Sequence, residues 1–127
     1  MSAWHPKVGE CLLIDSGPIG KHLFVLVLDK QINKKVHILS VPICTARDSA
    51  RIDESCMIQP GEHTFIKDES FVEYRNARID PVDSLLERVN EKTFIPHDSA
   101  SQELIAKIID GLKISKEVKR HIKDDFI

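Results

Sequence analysis

Two apolar runs constrain this chain more than any other feature: Leu23-Phe24-Val25-Leu26-Val27-Leu28, then Val36-His37-Ile38-Leu39-Ser40-Val41-Pro42-Ile43. Both are rich in β-branched and aromatic residues and too short for a buried helix, so they read as strands spanning Lys21 to Leu28 and Val36 to Ile43. The polar stretch Asp29 to Lys35 between them makes an antiparallel pair the simplest arrangement. Pro42 cannot donate to a ladder, which places a strand edge or a bulge near the end of the second run. Neither run is long enough to cross a bilayer.

The surrounding segments extend this pattern. Glu10 to Ile14 is a short apolar run closed by Asp15-Ser16-Gly17-Pro18, a strong turn signal. Thr45 to Glu54 reads as a loop, Cys56 to Ile58 as a brief strand and Pro60-Gly61 as a turn. His63 to Ile66 and Ser70 to Tyr74 read as short extended pieces. From Asp80-Pro81 the periodicity changes to helical. Asp80 is the expected N-cap, Pro81 the first helical residue, and the helix runs to about Asn90. Ser99 with Gln102 has the spacing of a capping box. Leu104, Ile105, Ile108, Ile109 and Leu112 then form one stripe, with Gly111 as the expected stop. Ser115 is expected to cap a last helix carrying Val118, Ile122 and Phe126 on one face. Strands followed by helices give an α+β fold.

At 127 residues the chain fits one domain, with strands over about 8–79 and a helical tail over about 81–126. Its formal net charge of −2 excludes a global basic field, so any nucleic-acid site must be a local patch. Met1 to Val8 lacks the apolar run of a signal peptide. The three cysteines (Cys11, Cys44 and Cys56) then read as reduced thiols of a cytoplasmic protein with no membrane association. None forms a CxxC pair, so no metal and no other cofactor is expected.

Several pieces in order resemble the PemK/MazF family of toxin endoribonucleases. They are Val8-Gly9-Glu10-Cys11-Leu12-Leu13-Ile14, the run Leu23 to Leu28, the run Val36 to Ile43 with Cys44-Thr45, and Ser70-Phe71-Val72-Glu73-Tyr74-Arg75-Asn76-Ala77-Arg78-Ile79. The resemblance covers roughly residues 8–112 and lies in their collinearity. It implies an SH3-like small β-barrel, commonly a homodimer, that cleaves single-stranded RNA without a metal and pairs with an antitoxin protein. The family's hydroxyl residue after the third strand maps onto Thr45. Its arginine before the second strand has no counterpart, because Lys21-His22 stands there and Leu23 follows.

Metal-free RNA cleavage needs a base for the 2′-hydroxyl, an acid for the leaving 5′-oxygen and a cation for the phosphorane charge. His22 and His63 suit the proton transfers, since imidazole titrates near neutrality. Thr45 can hydrogen-bond a phosphate oxygen, giving His22, Thr45 and His63 as the catalytic set. Lys21, Arg47 and Lys67 can neutralise phosphate, and Tyr74, with Phe71 and Trp4, can stack bases. Each has a bland counterpart. His22 can cap a strand edge, Thr45 can bond its own turn, His63 can hold the turn after Gly61, and the aromatics can be core. Arg47 alternates with acids in a stretch that reads equally as a solvated loop. A Cys56–His63 nucleophile pair and a metal site from His22, His63 and Asp53 are further alternatives, neither with supporting spacing. The C-terminal face of Lys116, Lys119, Arg120 and Lys123 can touch phosphates or simply be solvated. The rival to the enzyme is a non-catalytic barrel that binds a protein or nucleic-acid partner as a regulator.

Overall fold

The computed structural model describes residues 4–15 and 20–127. The expected turn at Ser16-Gly17-Pro18 and the residues before Trp4 lie outside that set. Among the described residues, seven strands and three α-helices follow one another: β1 (Cys11–Asp15), β2 (Lys21–Ile32), β3 (Lys35–Thr45), β4 (Met57–Ile58), β5 (Ser70–Val72), β6 (Arg78–Pro81), α1 (Val82–Asn90), β7 (Ile95–His97), α2 (Gln102–Ile114) and α3 (Arg120–Phe126). The fold is α+β. Among the described residues no helix is long and apolar enough to cross a membrane.

The two long runs form the expected hairpin, but it is longer than their apolar residues. β2 continues through Asp29-Lys30-Gln31-Ile32, and Ile32 pairs with Lys35, leaving only Asn33-Lys34 as the loop. Both loop residues have positive φ (51° and 69°), the left-handed pair that lets a two-residue turn follow the twist of its strands. Here the cross-strand ladder overrides the weak strand propensity of polar residues. A register shift between Leu26 and Leu28 bends β2 at a bulge.

All pairings are antiparallel, in the order β4-β5-β3-β2-β1-β7, with β6 also on β3. β3 pairs with β6 over His37 to Ser40 and with β5 over Ile43 to Thr45. Pro42 sits where β3 changes partner. Its carbonyl accepts from Glu73 N–H at 2.9 Å, and its missing donor falls in the gap between β6 and β5. The path ends at β4 on one side and β7 on the other, so the expected closed barrel is not formed: the hydrogen-bonded sheet is open.

Both faces of the sheet are covered. Leu23, Val25, Val27, Leu39, Val41 and Ile43 pack with Leu104, Ile108 and Leu112 of α2 and with Val118 and Ile122. Leu12, Ile14, Phe24, Leu26 and Ile38 pack on the other side with Leu85 of α1 and Phe94, and Trp4 lies against them. Each such fully buried side chain stabilises by about 1.5–3 kcal/mol relative to exposure.

Several local expectations are corrected. The segment Asp80-Pro81 ends β6 rather than starting a helix, because Asp80 is drawn into a two-pronged pair with Arg78 (3.1 and 3.2 Å) and Pro81 becomes the N-cap. The cap of α2 is Ser101, whose Oγ accepts from Leu104 N–H at 3.1 Å, while Ser99 donates to Glu10 instead. Gly111 lies inside α2 and Ser115 ends it as its C-cap, buried. Ser115 does not open the last helix, which begins after Lys119 with Ile122 buried as expected. His63 to Ile66 is a turn, closed by Ile66 N–H to the His63 carbonyl, rather than a strand. The tail is not purely helical, since β7 adds to β1 through Cys11↔His97 and Leu13↔Ile95.

Candidate nucleic-acid site

One end of the sheet gathers most of the candidate residues. Asp15 pairs with Lys21, Leu23 with Ile43, and Thr45 with Ser70, so β1, β2, β3 and β5 all reach the same rim. Ala46 N–H donates to the Glu69 carbonyl at 3.0 Å, which ties the turn carrying Arg47 to the segment carrying Lys67. Arg47 pairs with Asp68 at 3.4 Å, and Lys21, Arg47 and Lys67 are all exposed. Thr45 is half-buried, and its carbonyl accepts from Ser49 Oγ at 3.0 Å. Three cations and a hydroxyl therefore surround one rim of a chain that is negative overall.

Strand alternation separates the two proton- and hydroxyl-bearing residues of that rim. Lys21 and Thr45 share parity with Leu23 and Ile43, which face α2. His22 shares parity with Phe24 on the opposite face, in a row with Ile14, Cys44, Phe71 and Met57. The imidazole and the threonine hydroxyl thus approach one another only over the sheet's edge.

His63 is elsewhere and is occupied. It is buried, its Nδ1 accepts from Phe65 N–H at 3.0 Å, and Nε2 lies 2.7 Å from the Asp98 carbonyl. An acceptor at Nδ1 leaves the ring proton on Nε2, so both nitrogens hold the turn against the segment entering α2. Asp98 follows β7, whose His97 pairs with Cys11 at the opposite end of β1 from Asp15. The His97 ring lies tilted beside that of His63, with centroids 5.6 Å apart and planes at 41°, and its Nδ1 accepts from Asp98 N–H at 2.8 Å. The Thr64 hydroxyl, 2.6 Å from Asp98 Oδ2, holds that carboxyl below its ordinary range. This polar corner was not expected from the sequence. Its one signal is Pro96, an edge-strand proline between two helical stretches.

Tyr74 is corrected outright. It is fully buried, and its hydroxyl donates to the Ile108 carbonyl of α2 at 2.7 Å, so no base can reach its ring. Burial also raises its phenol well above the usual range. Phe71 is buried as well, on the row that carries His22.

The thiols are equally withdrawn. Burial pushes Cys11 and Cys44 up to about 12, the latter helped by the Glu73 carboxylate, and burial raises Cys56. All three are free and buried, which removes the thiolate a nucleophilic mechanism needs. No group of three or more His, Cys, Asp or Glu among the described residues is placed to hold a metal ion, and His22, His63 and Asp53 do not form one. Asp53 is instead a structural acceptor. It takes the Ser115 hydroxyl at 2.6 Å and Ser55 N–H at 3.0 Å. Burial pushes its carboxyl up, but these bonds and Arg51 outweigh that and hold it low. The cleft lined by Arg51, Asp53, Glu73, Arg75 and Glu117 encloses only about 10 Å³, too little for a substrate.

Comparison of the chain with protein-family models, with curated proteins and with solved structures gives no match.

Proposed function

We propose that this chain is a PemK/MazF-like protein that acts on single-stranded RNA at the rim formed by Lys21, His22, Thr45, Arg47 and Lys67. The observation that carries the reading is the convergence of these residues, from three separate segments, on one end of the sheet. The long bent hairpin and the change of partner along β3 support reading the sheet as an unclosed relative of an SH3-like barrel. In this reading Lys21, Arg47 and Lys67 neutralise the phosphates, and the Thr45 hydroxyl donates to a non-bridging oxygen. His22 is the proton-transfer group. His22 takes the 2′-hydroxyl proton as the 2′-oxygen attacks phosphorus, the P–O5′ bond breaks, and the leaving 5′-oxygen takes a proton from solvent water, giving a 2′,3′-cyclic phosphate and a 5′-hydroxyl. The resemblance further implies a cytoplasmic homodimer with an antitoxin partner.

A second reading rests on a specific observation. His22 and Thr45 belong to opposite faces, and both His63 nitrogens are engaged. The rim then binds RNA without cutting it. End-labelled RNA incubated with the protein in EDTA, beside His22→Ala and Thr45→Ala, separates the two. Cyclic-phosphate products that disappear in His22→Ala support cleavage. Binding without products supports the second reading, and neither binding nor products from folded protein refutes both.

A further inference from the structure

The far end of the β2–β3 hairpin carries a second basic surface that the rim does not use. Lys30, Lys34 and Lys35 are exposed there, with His37 half-buried opposite Lys30. No ion pair among the described residues is formed by any of the three lysines. β1 reaches only Val25 of β2 and β6 reaches only His37 of β3, so the tip projects past both neighbours as a two-stranded ribbon. Its two-residue loop keeps the two strands paired up to Ile32 and Lys35. The acids nearby are Asp29, whose parity turns it to the face of Ile38, and Asp83, in the far wall of a depression of about 260 Å³ beside Lys34 and Lys35.

We infer that this hairpin tip is a docking surface for the phosphate backbone of duplex RNA. Cations on a rigid ribbon meet the charge spacing of a double helix without reading its bases. A single strand is the poorer match, because its lower charge density releases fewer counterions for each cation that meets it. The inference stands on charge and shape at this end, independently of the rim. Its consequence is that a structured RNA can be held by its stem at one end of the hairpin while a loop reaches the other.

The test is fluorescence-anisotropy titration of a labelled RNA duplex of about 16 base pairs, its DNA counterpart and the unpaired RNA strand, across a salt series. Wild type is compared with Lys34→Gln/Lys35→Gln, which is checked for fold by circular dichroism. The expected result is duplex RNA binding whose log–log salt slope falls by about 1.8 in the hairpin variant, about 0.9 for each phosphate no longer neutralised. Unpaired RNA binding stays unchanged in that variant. An equal fall for duplex DNA supports the same backbone recognition. Absence of duplex binding, a slope insensitive to the hairpin variant, or an equal fall with unpaired RNA overturns the inference.

Discussion

The Tyr74 hydroxyl occupies the space into which a side chain at Gly111 would project. It donates to the Ile108 carbonyl at 2.7 Å, and a Cβ on Gly111 would collide with it and come within 2.8 Å of Cys56 Cβ. Gly111 is a glycine because α2 must approach the sheet this closely, and the cost of a glycine inside a helix is offset by the close packing it permits.

Gly111→Ala is therefore expected to destabilise the fold by about 1–3 kcal/mol, the usual cost of overpacking, despite the better helix propensity of alanine. Tyr74→Phe is expected to cost about 1 kcal/mol for the missing hydrogen bond. In the double variant the collision with the hydroxyl is relieved, so the losses fall short of additive. Denaturant unfolding of the four proteins measures the coupling; strict additivity would show that the two residues do not meet.

His63→Ala is expected to lower stability by about 1–3 kcal/mol, because it removes a buried side chain and the partly buried hydrogen bonds of the Phe65 N–H and the Asp98 carbonyl. RNA binding by the folded fraction is expected to stay at the wild-type level. Nitrogen-15 NMR of the wild-type imidazole should show the proton on Nε2. A loss of RNA handling with unchanged stability would return His63 to the site.

Native protein is expected to leave Cys11, Cys44 and Cys56 unmodified by a thiol-alkylating reagent at mildly alkaline pH, since burial keeps all three thiols protonated and covered. Unfolded protein should take up the reagent at all three. Mass spectrometry of the alkylated chain reads the count, and rapid native labelling of any one would refute its burial.

Asp53 and Glu62 are held low by their partners, Ser115, Ser55 and Arg51 for the first and Gln59 N–H and Lys107 for the second. A folded-state value below the unfolded one contributes stability above the unfolded value and loses it as pH falls through the folded one. Stability is thus expected to decline below about pH 4, the ordinary carboxylate range. Ser115→Ala should flatten that decline while costing about 1 kcal/mol at neutral pH. Chemical denaturation at stepped pH checks both; an unchanged acid limb would show that the Asp53–Ser115 bond carries no linkage.

Lys21→Gln, Arg47→Gln and Lys67→Gln are each expected to reduce the salt slope of single-strand RNA binding by about 0.7, the share of one neutralised phosphate. Equilibrium titration across a salt series measures it. A substitution that leaves the slope intact removes that residue from the rim.

The strands Leu23 to Leu28 and Val36 to Ile43, the stripe Leu104 to Leu112 and the face of Val118 and Ile122 were legible in the linear chain, because burial imprints a period on apolar residues. That Lys21 and His22 lie near Thr45 and Arg47 was implied by the family resemblance alone, and it is the pairing of Leu23 with Ile43 that brings those strand ends to one rim. Other features needed the third dimension. Polar residues joined β2 only because β3 lay beside them, Asp80 left its capping position for Arg78, and Ser101 took the cap that Ser99 gave up to Glu10. The roles of Tyr74, His63 and Gly111 depended on α2 and the Asp98 segment, more than 30 residues away along the chain for the hydrogen bonds of Tyr74 and His63. Sequence determined which residues seek the interior and with what period. Tertiary structure alone decided which polar atoms meet, because a hydrogen bond needs a partner within about 3 Å and nothing in a local pattern supplies one from a distant segment.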